Sequence, residues 1–531
     1  MTRDLFKQLN SAQRQAVDTI DGPVMVIAGP GTGKTQLLAL RAANILQKTD
    51  TAPQNILCLT YTEVGARNMR ERLTQLIGQA AYDIRISTYH SFGSELIRQY
   101  GDYFQNQKNG RPIDTIGQIK CMQEVYETIP ASNPLWRTDV YLKDMLQFIS
   151  ECKRGLLNPD DIRTIATANE QYIALASQKI QKIVPAFPRM NKDVAQHFIV
   201  LLEALATIQL DAQLPKGIIP LNNLLLIDLA AAIETFNNSA KTTELTAFKN
   251  KWLSKNHANE WVLDGQRTVN KLRGAADIYE RYLAMLASKN MFDYDDMMHQ
   301  AIQGLQENDD LRYSLHEQYL YIMLDEFQDT NRAQLQLVKL LSDNPVLEDR
   351  PNVLAVGDDD QAIYSFQGAE LSNMITFSTM YKNVKVITLT ENYRSHTDIL
   401  YTAESVSNTI DERLSTQLGT CKKELIARNT SFPQSTVERR QFKSDISQYD
   451  WIVKHVKALI KKGTAPNEIA IVAPKHKYIE PIVPYLMALD IPIRYDKREN
   501  VLDDTHILSL TSMAQLVMAL AAEDYSTADS L

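Results

Sequence analysis

Apolar positions in the first hundred residues cluster in short segments, and the stretches between these segments carry apolar residues at helical spacing. Residues 24–27 are an unbroken apolar run, residues 56–61 are apolar except for Thr60, and residues 84–89 are predicted to be a third strand. Unbroken apolar runs of this length are typical of strands buried on both faces. Residues 9–17 predict a short amphipathic helix with Asn10 or Ser11 as its N-cap. Strands that alternate with helices predict a parallel sheet covered by helices on both sides.

The pattern changes between about residue 100 and about residue 290, where long helical periodicities replace the strand runs. This segment is predicted to be a mostly helical insertion. Strand runs return at residues 319–324, 353–356 and 384–389. A helix capped by Ser447 and closed by Gly463 is predicted next. The remaining predicted elements are a strand at 468–474, a helix followed by a strand at 479–494, and a helix at 507–522. Together they predict the beginning of a second α/β domain.

The composition limits the class of protein without deciding it. The 531 residues are too many for one core, and 44% hydrophobic and 23% charged residues are ordinary for globular domains. A net charge of −8 argues against nucleic-acid binding by overall charge, although a local basic groove stays open. The four cysteines are too widely spaced for a disulfide framework or an all-cysteine metal site. Neither a secretory segment nor a bilayer-length apolar run is present, which predicts a cytoplasmic protein without membrane contact.

The loop after the first strand predicts a phosphate-binding site. Residues 24–38 read VMVIAGPGTGKTQLL, so a strand, a glycine-rich loop and a helix follow one another directly. Glycines let backbone N–H groups approach phosphate oxygens, and the helix N-terminus adds partial positive charge. Lys34 is expected to reach the β- and γ-phosphates, and Thr35 to bind Mg²⁺. Ala28 stands where the strict pattern has its first glycine. The loop residues expected to surround the phosphates are Gly29, Gly31, Thr32 and Gly33.

Polar residues after three further strand runs complete a candidate ATPase site. Asp325 and Glu326 follow residues 319–324, at the edge where parallel sheets bind ligands. Asp325 is expected to hold Mg²⁺, and Glu326 to deprotonate the water that attacks the γ-phosphate. Gln361 carries an amide suited to contact both the γ-phosphate and that water. Arg394 is a candidate clamp for phosphate oxygens.

In their order along the chain, these motifs resemble those of the UvrD/Rep (PcrA-like) family of superfamily 1 DNA helicases. The segments that resemble the motifs before motif II are LNSAQRQAV, AGPGTGKT, LTYTEVGARNMRERL, ISTYHSF and FDYDDMM. LDEFQDTNRAQLQLVKLL resembles motif II, VGDDDQAIYSFQGA motif III and LTENYRS motif IV. The resemblance extends over residues 9–494 apart from the helical insertion. It implies an ATP-dependent translocase that moves 3′ to 5′ on single-stranded DNA.

The resemblance also implies roles for individual residues. Gln13 would contact adenine, Tyr393 would stack on it, and Arg41 would support the nucleotide. The phosphate contacts would be Lys34, Arg394 and Gln361, the Mg²⁺ ligands Thr35 and Asp325, and the catalytic base Glu326. The single-strand track would be lined by Thr60, Tyr61, Thr88, His90, Tyr364 and Phe366. Aromatic faces suit such a track because base stacking tolerates any sequence.

Four departures from the family pattern qualify these expectations. Phe366 replaces the usual tryptophan of motif III and Gln367 the usual arginine, which leaves a nearby ionic contact in question. The helical insertion is longer than in familiar members. No segment after residue 502 resembles motif V or VI. We therefore expect an incomplete second motor domain and an ATP site that lacks part of one wall.

The resemblance implies an α/β fold with a RecA-like P-loop motor domain built on a parallel sheet, a long helical insertion and an incomplete second RecA-like domain. The expected domains are 1–99 with 291–396 (first motor domain), 100–290 (helical insertion), 397–502 (partial second motor domain) and 503–531 (start of a further helical insertion). The expected cofactors are ATP and Mg²⁺.

The expected function is a DNA helicase or translocase in repair, replication or recombination, acting on single-stranded DNA and its junctions with duplex. Two alternatives stay open. One is an ATP- and DNA-binding regulatory or scaffold protein that does not unwind DNA, and the other is the motor half of a helicase–nuclease. A protein partner or a missing C-terminal half would complete the second wall. The reading frame downstream of Leu531 distinguishes these alternatives.

Overall fold

The structure is a computed structural model that describes residues 2–104, 110–185, 187, 189–210, 213–215, 218–363, 372–410, 413, 423–429, 437–495 and 505–522. The chain divides into two compact units, Met1–Thr436 and Val437–Leu531. Within the described residues, no helix combines the length and apolar character needed to cross a membrane.

The strands are β1 Val24–Ala28, β2 Ile56–Thr60, β3 Arg85–Thr88, β4 Arg111–Pro112, β5 Leu253–Lys255, β6 Trp261–Leu263, β7 Met291–Phe292, β8 Tyr321–Leu324, β9 Val353–Gly357, β10 Lys385–Leu389, β11 Glu391–Asn392 and β12 Ile426–Ala427. The α-helices are α1 Thr2–Lys7, α2 Ser11–Asp18, α3 Lys34–Lys48, α4 Glu63–Ile77, α5 Tyr89–Gln99, α6 Thr115–Glu127, α7 Thr138–Arg154, α8 Pro159–Ile183, α9 Lys192–Ala206, α10 Leu221–Ser239, α11 Thr243–Trp252, α12 Gln266–Ser288, α13 Tyr294–Glu307, α14 Asp309–Gln318, α15 Arg332–Ser342, α16 Ser372–Met380, α17 Thr397–Ser407, α18 Asp445–Lys461, α19 His476–Ile479, α20 Val483–Met487 and α21 Thr505–Ala521.

Six strands of the first unit form a parallel sheet in the order β10–β1–β9–β8–β2–β3. Every residue of β1 is buried, because successive side chains enter apolar layers on opposite faces of the sheet. Met25 and Ile27 belong to the layer that contains Phe327, whereas Val24 and Val26 belong to the layer that contains Leu38. The predicted parallel sheet with helices on both faces is confirmed.

Helices α6 to α12 make up most of the chain between β4 and β7, as the periodicity predicts. They enclose two apolar cores, one around Tyr172 and Phe198 and the other around Ile149 and Tyr282. The antiparallel pair β5–β6 was not predicted. Each of its strands has only three residues, which is too short for an alternating pattern to stand out.

The described part of the second unit contains α18 to α21. Helix α18 begins after Ser444, whose hydroxyl accepts a hydrogen bond from the Ser447 N–H at 3.3 Å. The predicted cap at Ser447 was therefore three residues too late, although Gly463, with a φ of +100°, follows the helix end as expected. The strands predicted at 468–474 and at the end of 479–494 are wrong. No strand pairs with them among this unit's described residues, and Val472 is 89% exposed.

Candidate functional site

The residues that the sequence singles out lie at the carboxyl ends of neighbouring parallel strands. β1 leads into the glycine-rich loop, β8 into Asp325 and Glu326, and β9 into Asp358. β2 ends at Thr60 and β3 at Thr88. Because parallel strands end at the same edge of a sheet, the topology gathers both the ATP-side and the DNA-side candidates there.

The glycine-rich loop between β1 and α3 is held in a defined conformation. Thr32 is fully buried, and its hydroxyl donates to the Gly29 carbonyl at 2.8 Å. Gly31 and Gly33 have φ angles of +69° and +87°, which glycine adopts without strain. Lys34 begins helix α3, with Thr35 next to it. The loop therefore leads to a helix N-terminus, where phosphate oxygens bind favourably.

The segment after β10 holds this loop in place through hydrogen bonds. Asn392 is fully buried, its amide donates to the Pro30 carbonyl, and its Oδ1 accepts from the Arg394 N–H at 2.8 Å. The Tyr393 N–H donates to the Gly31 carbonyl at 3.0 Å. These contacts place Tyr393 and Arg394, both exposed and both predicted to contact ATP, beside the loop. Sequence reasoning missed Asn392 because its contact with the Pro30 carbonyl, 362 residues away in sequence, leaves no local signal.

Gln13 holds α2 against the same loop. Its amide donates to the Thr32 carbonyl at 2.9 Å, and its Oε1 accepts from the Asn10 N–H at 3.1 Å. Asn10, one of the two predicted caps, completes the reciprocal capping box, since its Oδ1 accepts from the Gln13 N–H at 2.8 Å. Both ends of the Gln13 side chain are thus used within the chain. Its contact with adenine stays a prediction.

Arg41 stabilises the C-terminal end of α2. It is buried, and its guanidinium donates to the carbonyls of Ala16, Thr19 and Ile20 at the end of that helix. Burial lowers the pKa of Arg41 to about 10. Its contacts therefore support the helix that carries Gln13. Direct support of the nucleotide by Arg41 stays a prediction that none of these contacts reflects.

An ion pair joins the phosphate loop to the acidic pair. Lys34 Nζ lies 2.9 Å from Glu326 Oε2. The φ of Glu326 is +48°, a left-handed conformation that costs a non-glycine residue about 1–2 kcal/mol and is frequent at functional sites. Gln328 Nε2 donates to Glu326 at 2.8 Å, and Gln328 Oε1 accepts from the Asp358 N–H at 3.0 Å. Gln328, which sequence reasoning missed, thus connects the ends of β8 and β9.

Asp325 is buried next to this ion pair. Burial raises the pKa of Asp325 to about 6, the charge of Glu326 acts in the same direction, and Lys34 opposes both. A buried carboxylate of this kind gains from a nearby cation. Mg²⁺ commonly binds one or two hard oxygen ligands of the protein together with substrate phosphates. The Asp325 carboxylate and the Thr35 hydroxyl fit that requirement.

Asp325→Asn is expected to stabilise the nucleotide-free protein at pH 8. A carboxyl whose pKa rises from 3.8 to about 6 on folding costs about 3 kcal/mol of stability when it is ionised. The cost is absent below the ordinary pKa, grows as the pH rises through about 6, and is complete above it. The thermal midpoint of Asp325→Asn should therefore exceed that of wild type at pH 8, by a margin that shrinks towards pH 4. Asp50→Asn, at an exposed position, is the control. A margin that does not depend on pH would contradict the assignment.

Three consecutive aspartates after β9 are clamped by two cations. Lys423 Nζ contacts the carboxylates of Asp358, Asp359 at 2.7 Å and Asp360 at 3.0 Å. Arg413 donates twice to Asp360, at 2.8 and 2.7 Å. Burial opposes the charge of Lys423, but the carboxylates prevail and raise its pKa. The predicted γ-phosphate contact, Gln361, donates its side-chain amide to the Asp358 carboxylate. Sequence reasoning missed both cations.

The predicted DNA residues differ in exposure. Thr60 and Thr88 are buried, and the Thr88 hydroxyl donates to Glu63 Oε1 at 3.0 Å. Tyr61 and His90 are half-buried at the ends of the same two strands. The two threonines therefore lie beneath the surface that the tyrosine and histidine reach. Tyr364 and Phe366, the predicted stacking pair, lie outside the described residues.

A cavity of about 700 Å³ opens beside His90, between the sheet edge and the helical insertion. Its lining includes Thr88, His90, Arg154, Tyr294 and Asp295. His90 Nε2 lies 3.9 Å from Asp295 Oδ1, and Arg154 Nε donates to the same oxygen at 3.2 Å. Tyr294, the first residue of α13, is 65% exposed. Sequence reasoning did not single out Tyr294. The signal that could have identified it is an aromatic residue placed between two acidic residues at the start of a helix.

Comparison with known proteins places this site in a family. The model of the UvrD/REP helicase N-terminal domain matches residues 9–382, and that of the UvrD-like helicase C-terminal domain matches residues 387–516. The chain belongs to the UvrD/REP helicase family. The match covers the glycine-rich loop, the acidic pair and the strand ends around them, so the resemblance inferred from the motifs is confirmed.

Several curated relatives of this UvrD/REP helicase chain are named ATP-dependent DNA helicase PcrA. The protein from Leuconostoc citreum is 25% identical over 514 residues, which are 95% of this chain and 53% of the relative. One from Staphylococcus epidermidis is 25% identical over 97% of this chain and 54% of the relative. One from Staphylococcus aureus is 27% identical over 77% of this chain and 41% of the relative. The chain thus spans about half the length of the curated relatives it matches most extensively.

The expectation that motifs V and VI are missing from the second motor domain is not borne out. The match to the UvrD-like helicase C-terminal domain runs from residue 387 through residue 516, beyond residue 502, after which neither motif V nor motif VI was expected. The whole-domain match draws on the entire segment 387–516, whereas the expectation rested on two short motifs alone.

Proposed function

We propose that this chain is the motor of an ATP-dependent DNA helicase that translocates 3′ to 5′ on single-stranded DNA, in DNA repair, replication or recombination. The observation that carries the proposal is the Lys34–Glu326 ion pair at 2.9 Å. It brings the phosphate loop and the acidic pair together at the sheet edge where the candidate DNA residues also lie. Family membership and similarity to PcrA proteins support the proposal.

On the ATP side, the phosphates bind at the N-terminus of α3, between the glycine-rich loop and Arg394. Lys34 exchanges Glu326 for phosphate oxygens, which frees the Glu326 carboxylate to take a proton from the attacking water. Thr35 and Asp325 would hold Mg²⁺, which when bound would supply positive charge against the phosphate oxygens. Tyr393 offers an exposed ring for adenine beside the loop.

On the DNA side, a single strand passes over the ends of β2 and β3. Tyr61 and His90 contact it there, and the cavity beside His90 admits part of the strand under Tyr294. The grip does not depend on base identity, because aromatic rings stack on any base. Single-stranded DNA and its junctions with duplex are the proposed nucleic-acid partners.

Tyr294→Ala is expected to weaken the binding of single-stranded DNA about tenfold, since base stacking on an aromatic ring contributes about 1–3 kcal/mol. Affinity for ATP without DNA should not change. Tyr82→Ala is a matched control, because Tyr82 is also largely exposed, at 64%. It ends the turn before β3 and so lies at the amino ends of the parallel strands, away from the candidate site. Fluorescence anisotropy with labelled oligothymidine measures both variants. Equal affinities of the two variants would remove Tyr294 from the DNA surface.

Strand displacement tests the proposed direction and activity. The purified chain should unwind a duplex with a 3′ single-stranded tail in the presence of ATP and Mg²⁺, and should leave a 5′-tailed duplex intact. Lys34→Ala is the inactive control. Binding of ATP and DNA without hydrolysis would instead favour the regulatory or scaffold alternative, and preference for the 5′ tail would contradict the direction.

A further inference from the structure

Lys423 occupies an unusual position for a lysine. Its side chain is 4% exposed, and its ammonium group touches three carboxylates in succession along the chain. Asp358, the first of these, is fully buried. Ionised groups at such depth are retained only where partners compensate them, and removing one partner leaves a buried charge uncompensated. The contact therefore constrains the end of β9 strongly.

Arg413 adds a second restraint to the same cluster. Its planar guanidinium grips Asp360 with two hydrogen bonds and donates a third, at 2.7 Å, to Asn408 Oδ1. Asn408 directly follows helix α17. Both cations thus come from the chain after β10. Lys423 contacts all three aspartates that precede Gln361, and Arg413 contacts the last of them.

Asp358 connects this clamp to the residues proposed to act at the γ-phosphate. Its carboxylate is shared between the Lys423 ammonium and the Gln361 amide. Its backbone N–H donates to Gln328, whose amide in turn donates to Glu326. Lys423 binds Oδ1 of this carboxylate and Gln361 binds Oδ2, so the lysine fixes the orientation of the group that holds the Gln361 amide. A change in how Lys423 holds Asp358 therefore alters the freedom of that amide to turn towards phosphate.

We propose that Lys423 is a positioning residue that couples DNA binding to ATP hydrolysis by holding Asp358 and thereby setting the orientation of Gln361. The inference rests on the proposed function. Tyr364 and Phe366 follow Gln361 by three and five residues. One short stretch of chain therefore carries the γ-phosphate contact and the predicted stacking residues, and Lys423 fixes its beginning.

The test compares ATP hydrolysis with and without oligothymidine in wild type, Lys423→Gln and Lys382→Gln. Lys382 is the matched control, since it pairs with Asp349 at 2.8 Å on the surface. In Lys423→Gln the ratio of stimulated to unstimulated rate should fall about tenfold, equivalent to about 1.4 kcal/mol of transition-state stabilisation. In Lys382→Gln the ratio should equal that of wild type.

The double variant Lys423→Gln with Asp359→Asn separates positioning from folding. It removes one buried cation together with one buried carboxylate, so the thermal midpoint should return towards wild type. The low ratio should persist, because Asp358 is still without its lysine. A wild-type ratio in the folded double variant overturns the inference. Wild type without any DNA stimulation overturns the proposed function and this inference with it, whereas stimulated wild type with an unchanged Lys423→Gln overturns the inference alone.

Discussion

Glu326→Gln is expected to abolish ATP turnover while nucleotide binding persists. Glutamine retains the length and the hydrogen-bonding carbonyl of glutamate, but it cannot accept a proton from the attacking water. Removal of a general base typically lowers kcat by about 10²- to 10⁴-fold. The Lys34 ammonium loses only a half-exposed partner, so the phosphate loop should still bind ATP. Steady-state hydrolysis with oligothymidine and equilibrium binding of a fluorescent ATP analogue measure the two effects.

Glu348→Gln provides a close control for this substitution. Glu348 also has a left-handed backbone, with a φ of +49° against +48° at Glu326, and it is exposed in a turn before β9. The control therefore separates the effect of removing a carboxylate from a strained turn from the effect of removing the proposed general base. Turnover near the wild-type rate in Glu326→Gln would remove Glu326 from its catalytic role.

Gly31→Ala is expected to disrupt ATP binding through a specific collision. A Cβ at Gly31 would lie 2.6 Å from Asn392 Nδ2 and 2.7 Å from Arg394 Cβ, and the φ of +69° adds strain. Asn392 must then move away from the loop. This movement breaks its hydrogen bond to the Pro30 carbonyl and displaces Arg394. We expect affinity for ATP to fall at least about tenfold, and stability to fall by about 1–3 kcal/mol.

Gly78→Ala isolates the backbone component of that effect. Gly78 has a similar φ of +64° at the end of α4, but a Cβ there would meet nothing within 4 Å. Both variants should lose stability through backbone strain, and only Gly31→Ala should lose affinity for ATP. Thermal unfolding and nucleotide titration of both variants check this. Equal ATP affinity in the two variants would show that Asn392 does not determine the conformation of the loop.

The central sheet could be predicted because each of its strands has a recognisable local sequence pattern. The runs that became β1, β2, β3, β8, β9 and β10 are short and are bounded by polar, glycine or proline residues, and motif residues stand at their carboxyl ends. Parallel topology then brings those ends together without any knowledge of tertiary contacts. The juxtaposition of Lys34 with Glu326, which are 292 residues apart, follows from that rule.

Other parts of the site depend on contacts that no local pattern encodes. Asn392, Gln328 and Lys423 are polar residues without periodicity, and each has a partner that follows another strand of the sheet. The strand expected at 468–474 had the right composition, but a strand also needs a neighbour that pairs with its backbone, which composition does not provide. The sequence predicts Ser447 as a cap and the structure has Ser444, because serine suits either position and only the backbone conformation decides between them.

The measurement that tests the proposed motor most directly is the rate of ATP hydrolysis by the purified 531-residue chain, with and without saturating oligothymidine. A motor whose ATP residues and DNA residues share one sheet edge should hydrolyse ATP slowly alone and about tenfold faster or more with DNA, a difference of at least about 1.4 kcal/mol in the barrier. Glu326→Gln, measured alongside, should show neither rate. Hydrolysis that is absent, or that oligothymidine leaves unchanged, would contradict the proposal that this chain is a DNA-dependent motor.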